Sequence, residues 1–274
     1  LLAVMGFIVI HAPITVYIGS HFPQATLIIK AWKELFIGLA LILLLVQLIQ
    51  SGKLRAFVRW PLIIVLLIYC ALHIFMIGIY PQGVQATLAG LLIDLRYCLD
   101  FIAMAALLFL YPHYKMPFIR VGVVGACIVV SFAAIELALP RDTLTYLGYG
   151  DATIQPYMTV DKNLDYIRYN STLRGPNPLG AYALIVLTAV ATFFTVNRNR
   201  LGRYKRRYVI GAGVLGVLSI VALWVSYSRS AVIGAVAAIL VLVAAISHKV
   251  SPRNRRIVIA CVLVLMAGGL FAVK

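Results

Sequence analysis

The sequence predicts an all-α fold: a polytopic transmembrane helical bundle of about nine spans, read as a single domain over residues 1–274 with one long outward loop at 140–178. Three observations carry this reading. Apolar residues make up 63% of the 274 and charged residues 12%, with a mean hydropathy of +1.01. An average soluble domain is about half apolar and about a quarter charged, so a soluble core of this composition would lack the polar residues to cover itself. Apolar runs recur on the length scale of a bilayer crossing, about 20 residues, and the segments between them alternate in charge.

The runs are 1–19, 35–49, 61–79, 87–110, 118–139, 179–196, 208–225, 231–246 and 257–273. Four of the connecting segments are basic: Lys53, Arg55 and Arg59; Lys115 and Arg120; Arg198, Arg200, Arg203, Lys205, Arg206 and Arg207; and Lys249, Arg253, Arg255 and Arg256. Together they hold 15 positive charges and no acidic residue. The segments that alternate with them are close to neutral, and 140–178 balances Arg141, Lys162, Arg168 and Arg174 against Asp142, Asp151, Asp161 and Asp165. By the positive-inside rule the basic loops are cytoplasmic, the amino end is inside, and the other loops face outward. The net charge of +16 thus reads as topology and membrane-lipid attraction, and no nucleic-acid partner is expected. The chain opens at Leu1 inside an apolar run and closes at Lys274 directly after another, with no initiator methionine and no signal-peptide n-region. It is expected to be an internal piece of a longer protein.

Several patterns carry no chemistry. Cys70, Cys98, Cys127 and Cys261 lie singly in apolar runs, and His11, His21, His73, His113 and His248 are scattered without metal-ligand spacing. Neither a metal nor a cofactor is expected. Gly211-Ala212-Gly213-Val214-Leu215-Gly216 spells a dinucleotide fingerprint, which requires a strand before it and a helix after it. Inside an apolar span these small residues serve close helix packing instead. Asn170-Ser171-Thr172 spells a glycosylation acceptor, a match too short to carry weight.

The chemistry is expected in loop 140–178. Its five tyrosines, Tyr146, Tyr149, Tyr157, Tyr166 and Tyr169, argue against disorder. They suit an interfacial aromatic belt or the faces of sugar rings equally well. The loop ends in Arg168 and Arg174, followed by Pro176-Asn177-Pro178-Leu179-Gly180, where Asn177 is placed as a helix cap and Pro178 in the first turn. A helix start offers free N–H groups and a positive dipole end to an anion. A short outward turn, Ser226-Tyr227-Ser228-Arg229-Ser230, supplies a further arginine. Its fork matches phosphate oxygens and stays charged in a half-dry site, although reaching toward lipid headgroups is an open alternative. Among the other embedded charges, Arg96 and Asp100 are spaced to pair on one helix, or to serve the anion pocket. Asp161 and Asp165 are spaced to share a helix face, and Glu136 is assigned no role.

Arg168, Pro176-Asn177 and Leu179-Gly180, followed two helices later by Ser228-Arg229-Ser230, resemble the O-antigen ligase and polysaccharide polymerase superfamily of bacterial inner-membrane proteins. Lys30-Ala31-Trp32-Lys33-Glu34-Leu35 and Leu95-Arg96-Tyr97 resemble that family's early segments. The resemblance implies a multi-span, lipid-donor glycosyltransferase that inverts configuration without a metal. It would pass a glycan from a polyprenyl-diphosphate donor to a lipid or glycan acceptor hydroxyl at the outer face of the inner membrane. Arg168 and Arg229 fall on the family's two catalytic arginine positions. Arg174, Asn177, Lys33 and Arg96 are the expected substrate-binding residues. The family's activating histidine lies in a later outward loop, beyond residue 274. A secondary transporter of an anionic solute is the alternative, since arginines in a helical bundle also suit anion translocation.

Overall fold

A computed structural model describes residues 1–80, 83–160, 163–197, 201–202 and 204–246. The described chain is mostly helical: α1 (Leu2–Ile8), α2 (His11–His21), α3 (Thr26–Gln50), α4 (Leu54–Val58), α5 (Pro61–Ile79), α6 (Val84–Leu110) and α7 (Lys115–Glu136) precede a hairpin, and α8 (Pro176–Asn197), α9 (Arg206–Ser226) and α10 (Arg229–Ile246) follow it. The hairpin pairs β1 (Met158–Val160) with β2 (Asn163–Arg168).

Five described segments are long and apolar enough to cross a membrane: Ala31–Gln50, Pro61–Ile79, Pro112–Glu136, Pro176–Asn197 and Arg206–Ser226. Counting the α1–α2 pair as one broken span makes six. This is a helical membrane protein. The difference from nine spans has local causes. Run 1–19 is interrupted between α1 and α2, and run 87–110 is one helix that carries Asp94, Arg96 and Asp100. In α10 the apolar stretch Arg229–Leu242 is shorter than a full crossing. Run 257–273 lies outside the described residues. Burial supports the membrane setting: of the 19 residues of α5 only Ile63 is buried, and a helix apolar all round needs an apolar solvent.

The described residues divide into two compact units, one within 1–8 and 22–123, the other within 9–21 and 124–246. In the first, Leu44 and Leu48 of α3, Phe57 of α4, Ile63 of α5 and Ile102, Ala103 and Ala106 of α6 form the core. Ala103 and Ala106, three apart on one face of α6, let α3 come close, the usual device where lipid removes the hydrophobic drive for helices to associate. Trp60 packs edge-on against Phe109 at 5.2 Å between ring centroids.

In the second unit the core is Val9, Val129, Val130 and Ala133, with Leu179 and Ala183 of α8 and Ala222 and Val225 of α9. Here too small residues set the helix spacing. A methyl at Gly216 would stand 3.2 Å from Val190, and one at Gly234 would stand 2.7 Å from Leu184. The glycine-rich motif at 211–216 therefore lies wholly inside α9 with no strand before it, and its last glycine faces α8. Between α7 and α8, a short 3₁₀ turn (Thr143–Leu147) ends at Gly148 in the left-handed region, φ +90°. A Cβ there would collide with Ser20, 2.3 Å from its Oγ. The hairpin then aligns Met158 with Arg168 and Thr159 with Ile167, with a bulge before Val160–Asn163. This corrects one expectation: Asp165 lies on a strand, so it shares no helix face with Asp161, which lies outside the described residues.

Candidate functional site

In the second unit, the segment leaving β2 is tied down residue by residue. Tyr169 donates its N–H to the Val225 carbonyl of α9 (3.2 Å). Asn170 donates its side-chain amide to the Gln155 carbonyl (2.7 Å). Ser171 adopts a left-handed backbone, φ +53°, donates its N–H to Glu136 Oε2 (2.8 Å) and its hydroxyl to the Val129 carbonyl (2.7 Å). Asn170, Ser171 and Thr172 are all buried, which removes the glycosylation triplet from use in the folded protein.

The chain then turns at Gly175, whose carbonyl accepts the Leu179 N–H (3.2 Å). Helix α8 opens with Pro176, where a missing N–H costs nothing and the fixed φ suits the helix. Asn177 therefore sits inside the first turn rather than capping it, because Gly175 already occupies the boundary. Its side chain is turned to another use: Asn177 Oδ1 accepts a hydrogen bond from Arg168 Nη2 at 2.5 Å.

The second arginine is set by the turn between α9 and α10. Tyr227 takes the left-handed conformation, φ 45°, that ends α9. Ser228 then caps α10: its Oγ accepts the Ala231 N–H (3.4 Å) and its carbonyl the Val232 N–H (3.0 Å). Helix α10 consequently begins at Arg229 itself, two residues before the apolar run does. Arg168 Nε donates to the Ser226 carbonyl at 3.1 Å, joining the hairpin to this turn. Gly180 makes the approach possible, since a Cβ there would lie 2.7 Å from Ser228 Cβ, 2.8 Å from Ser226 Oγ and 2.9 Å from Ala231 Cβ. The first turns of α8 and α10 thus meet beside Arg168.

The electrostatics follow from this layout. Burial, and after it the nearby positive charge of Arg229, lower the Arg168 pKa from the usual guanidinium value. Both groups that Arg168 bonds are neutral oxygens, and the two bonds use two of its five N–H donors. The helix amino termini add positive dipole ends rather than N–H donors, because Pro176 and Pro178 have no N–H and those of Leu179, Ala231 and Val232 are already bonded. The combination favours a multiply charged oxyanion. Arg229 and Arg174 are exposed. Among the described residues, no group of three His, Cys, Asp or Glu side chains could hold a metal ion.

Lys33 and Arg96 lie in the other compact unit and converge on Glu34. Lys33 Nζ is 3.0 Å and Arg96 Nη1 3.9 Å from Glu34 Oε1. Arg96 also stacks over Tyr97 at 4.7 Å. The pairing expected within α6 is thus replaced by one between helices: Arg96 turns to α3 rather than to Asp100, while Asp94 faces His73 of α5 at 4.0 Å. Of the loop tyrosines, Tyr146 is 86% exposed, Tyr149 is buried, and Tyr166 packs edge-on against Tyr227 at 6.3 Å. Sequence reasoning missed Glu136, the buried partner of Ser171. A carboxylate at the end of an apolar run was the only available signal.

Comparison with known proteins gives no match: no family model, no curated protein and no solved structure aligns significantly with this chain.

Proposed function

We propose that this chain belongs to a glycosyltransferase of the O-antigen ligase and polysaccharide polymerase type, which moves a glycan from a polyprenyl-diphosphate donor to a lipid or glycan acceptor at the outer face of the bacterial inner membrane. One observation carries the reading. Arg168 is fastened by Asn177 and the Ser226 carbonyl where the first turns of α8 and α10 meet, within electrostatic range of Arg229. We read α6 as a span as well despite its three charges, and the charge pattern of the loops then supports the amino end inside and this site outward.

In this reaction the acceptor hydroxyl oxygen attacks the anomeric carbon as the bond to the diphosphate oxygen breaks. The bonding pair leaves with the diphosphate, configuration inverts, and the hydroxyl proton passes to a general base, a histidine in the family this chain resembles. Negative charge grows on the leaving group in the transition state, so preorganised cations beside it lower the barrier. Arg168 and Arg229 take that role with no metal or cofactor. Arg174 and Asn177 are assigned to substrate binding, Asn177 through its hold on Arg168, whereas Lys33 and Arg96 close on Glu34 in the other unit.

The anionic-solute transporter is retained as a second reading because the first apolar run is broken between α1 and α2, a feature common at transporter midplanes. Transfer from a polyprenyl-diphosphate glycan by the full-length protein separates the two. Arg168→Ala or Arg229→Ala should lower the rate by about 2.7–4 kcal/mol of barrier, roughly a hundred- to a thousandfold. Lys at either position should rescue poorly, because it cannot grip two oxygens in one plane. Normal transfer by both Ala variants, with insertion verified, would refute the pocket. Movement of an anion across the bilayer with no release of polyprenyl diphosphate would favour the transporter.

A further inference from the structure

We infer that Glu136 is a positioning residue for Arg168, acting through the Ser171 backbone and resting on the diphosphate reading of Arg168. Glu136 closes α7 and is only 4% exposed, and its Oε2 accepts the Ser171 N–H at 2.8 Å. Ser171 is completely buried in a left-handed conformation, φ +53°, which residues with a Cβ hold only when their surroundings over-determine it. Its hydroxyl returns to the Val129 carbonyl of the same helix, so α7 grips Ser171 at two points.

The grip is transmitted over a short distance. Between Ser171 and Arg168 the Asn170 amide is held by the Gln155 carbonyl and the Tyr169 N–H by Val225 of α9. Four consecutive residues are therefore strapped in turn to α7, to the loop, to α9 and to the Ser226 turn, with no slack in which the guanidinium could settle independently. Releasing Ser171 lets the segment relax toward an ordinary backbone and shifts the point from which Arg168 reaches Asn177 and Ser226. Glu136 meets the strap through a backbone N–H, so what positioning needs from it is a hydrogen-bond acceptor at that point. Glutamine supplies one and leucine does not.

The test is transfer kinetics of the full-length protein reconstituted in lipid, with a polyprenyl-diphosphate glycan as donor. Glu136→Leu should lower kcat by about a hundredfold, the scale of a small misplacement of a catalytic group, while KM changes far less. Glu136→Gln should recover transfer to within about threefold of wild type. The deciding readout is a double-mutant cycle: in an Arg168→Ala background Glu136→Leu should add almost nothing, because both changes remove one function. Should Glu136→Leu fail to insert or fold, Ser171→Gly replaces it. That variant keeps the N–H and tolerates the backbone but loses the hydroxyl anchor and gains freedom, and it should cost roughly tenfold in kcat, again only when Arg168 is present. Additive losses, or full activity in Glu136→Leu, would overturn the positioning role. Normal transfer by Arg168→Ala would instead remove the diphosphate reading beneath it.

Discussion

The two compact units each gather cations, and they do so in opposite ways. In the first, Lys33 and Arg96 close on the carboxylate of Glu34, so one of the two charges brought into apolar helices is offset on the spot. In the second, Arg168 is held by a side-chain amide oxygen and a backbone carbonyl, and the positive charge of Arg229 acts on it. Neutral acceptors fix direction without cancelling charge. The same residue types therefore serve different ends: Lys33, Glu34 and Arg96 tie α3 to α6, while Arg168 and Arg229 concentrate positive potential beside two helix amino termini. All four cations are candidates on sequence grounds, and the neutral partners of Arg168 are what rank it first for meeting a diphosphate.

That contrast is open to attack from several sides. Glu34→Ala would leave Lys33 and Arg96 without their shared carboxylate, which for partly buried partners costs up to about 3 kcal/mol, the low end for a buried pair. Thermal unfolding in detergent should show a large loss, while transfer per folded molecule should change little. A stable Glu34→Ala protein that no longer transfers would place this cluster in the site and erase the distinction between the units. Gly180→Val attacks the second unit. A Cβ at 2.7–2.9 Å from Ser228, Ser226 and Ala231 forces α8 away from the turn that carries Arg229, an overpacking penalty of about 1–3 kcal/mol. Both unfolding temperature and transfer should fall, whereas Gly150→Ala, with nothing within 4 Å of its added methyl, should lower neither. Unchanged stability and transfer in Gly180→Val would mean that close contact of the helix starts is not required.

The smallest effect concerns pH. Burial, and then the Glu136 charge, push the Tyr149 hydroxyl up to about 12 from an ordinary 10.0. The folded protein holds this proton more tightly than the unfolded chain, so the stability it confers is complete below pH 10 and drains away as pH rises toward 12. Unfolding midpoints should decline across that window, and Tyr149→Phe should decline less steeply. Parallel curves for the two proteins would contradict the assignment.

How much of this was legible in advance depends on which forces speak locally. Spans such as 61–79 and 179–196 could be read from hydropathy, because lipid selects on composition alone and the helix must satisfy its own backbone. The break between α1 and α2 was missed although Pro13 marks it, having no N–H for the carbonyl of Val9 four residues earlier. The α8 start was visible in Pro176 and Asn177, but the role of Asn177 was misplaced: cap preference is a local rule, and Arg168, nine residues earlier, out-competes it through tertiary contact. Arg229 opening α10 was close to legible, because Ser228 is a good cap. Arg96 was paired with Asp100 by helical spacing, while its actual partner Glu34 comes from a helix 62 positions away, which no local rule reports. Ser171 and Glu136 were invisible for the same reason, as serine gives no sign of a positive φ.

The most direct measurement is binding of polyprenyl diphosphate, without any glycan, to the full-length protein in lipid nanodiscs, with inorganic pyrophosphate as competitor. Wild type should bind and release it to pyrophosphate. Arg168→Ala and Arg229→Ala should each weaken binding by at least about tenfold, or 1.4 kcal/mol, with Lys33→Ala affecting it less than either. Equal affinity in wild type and both arginine variants would contradict the claim that these two side chains form one diphosphate site.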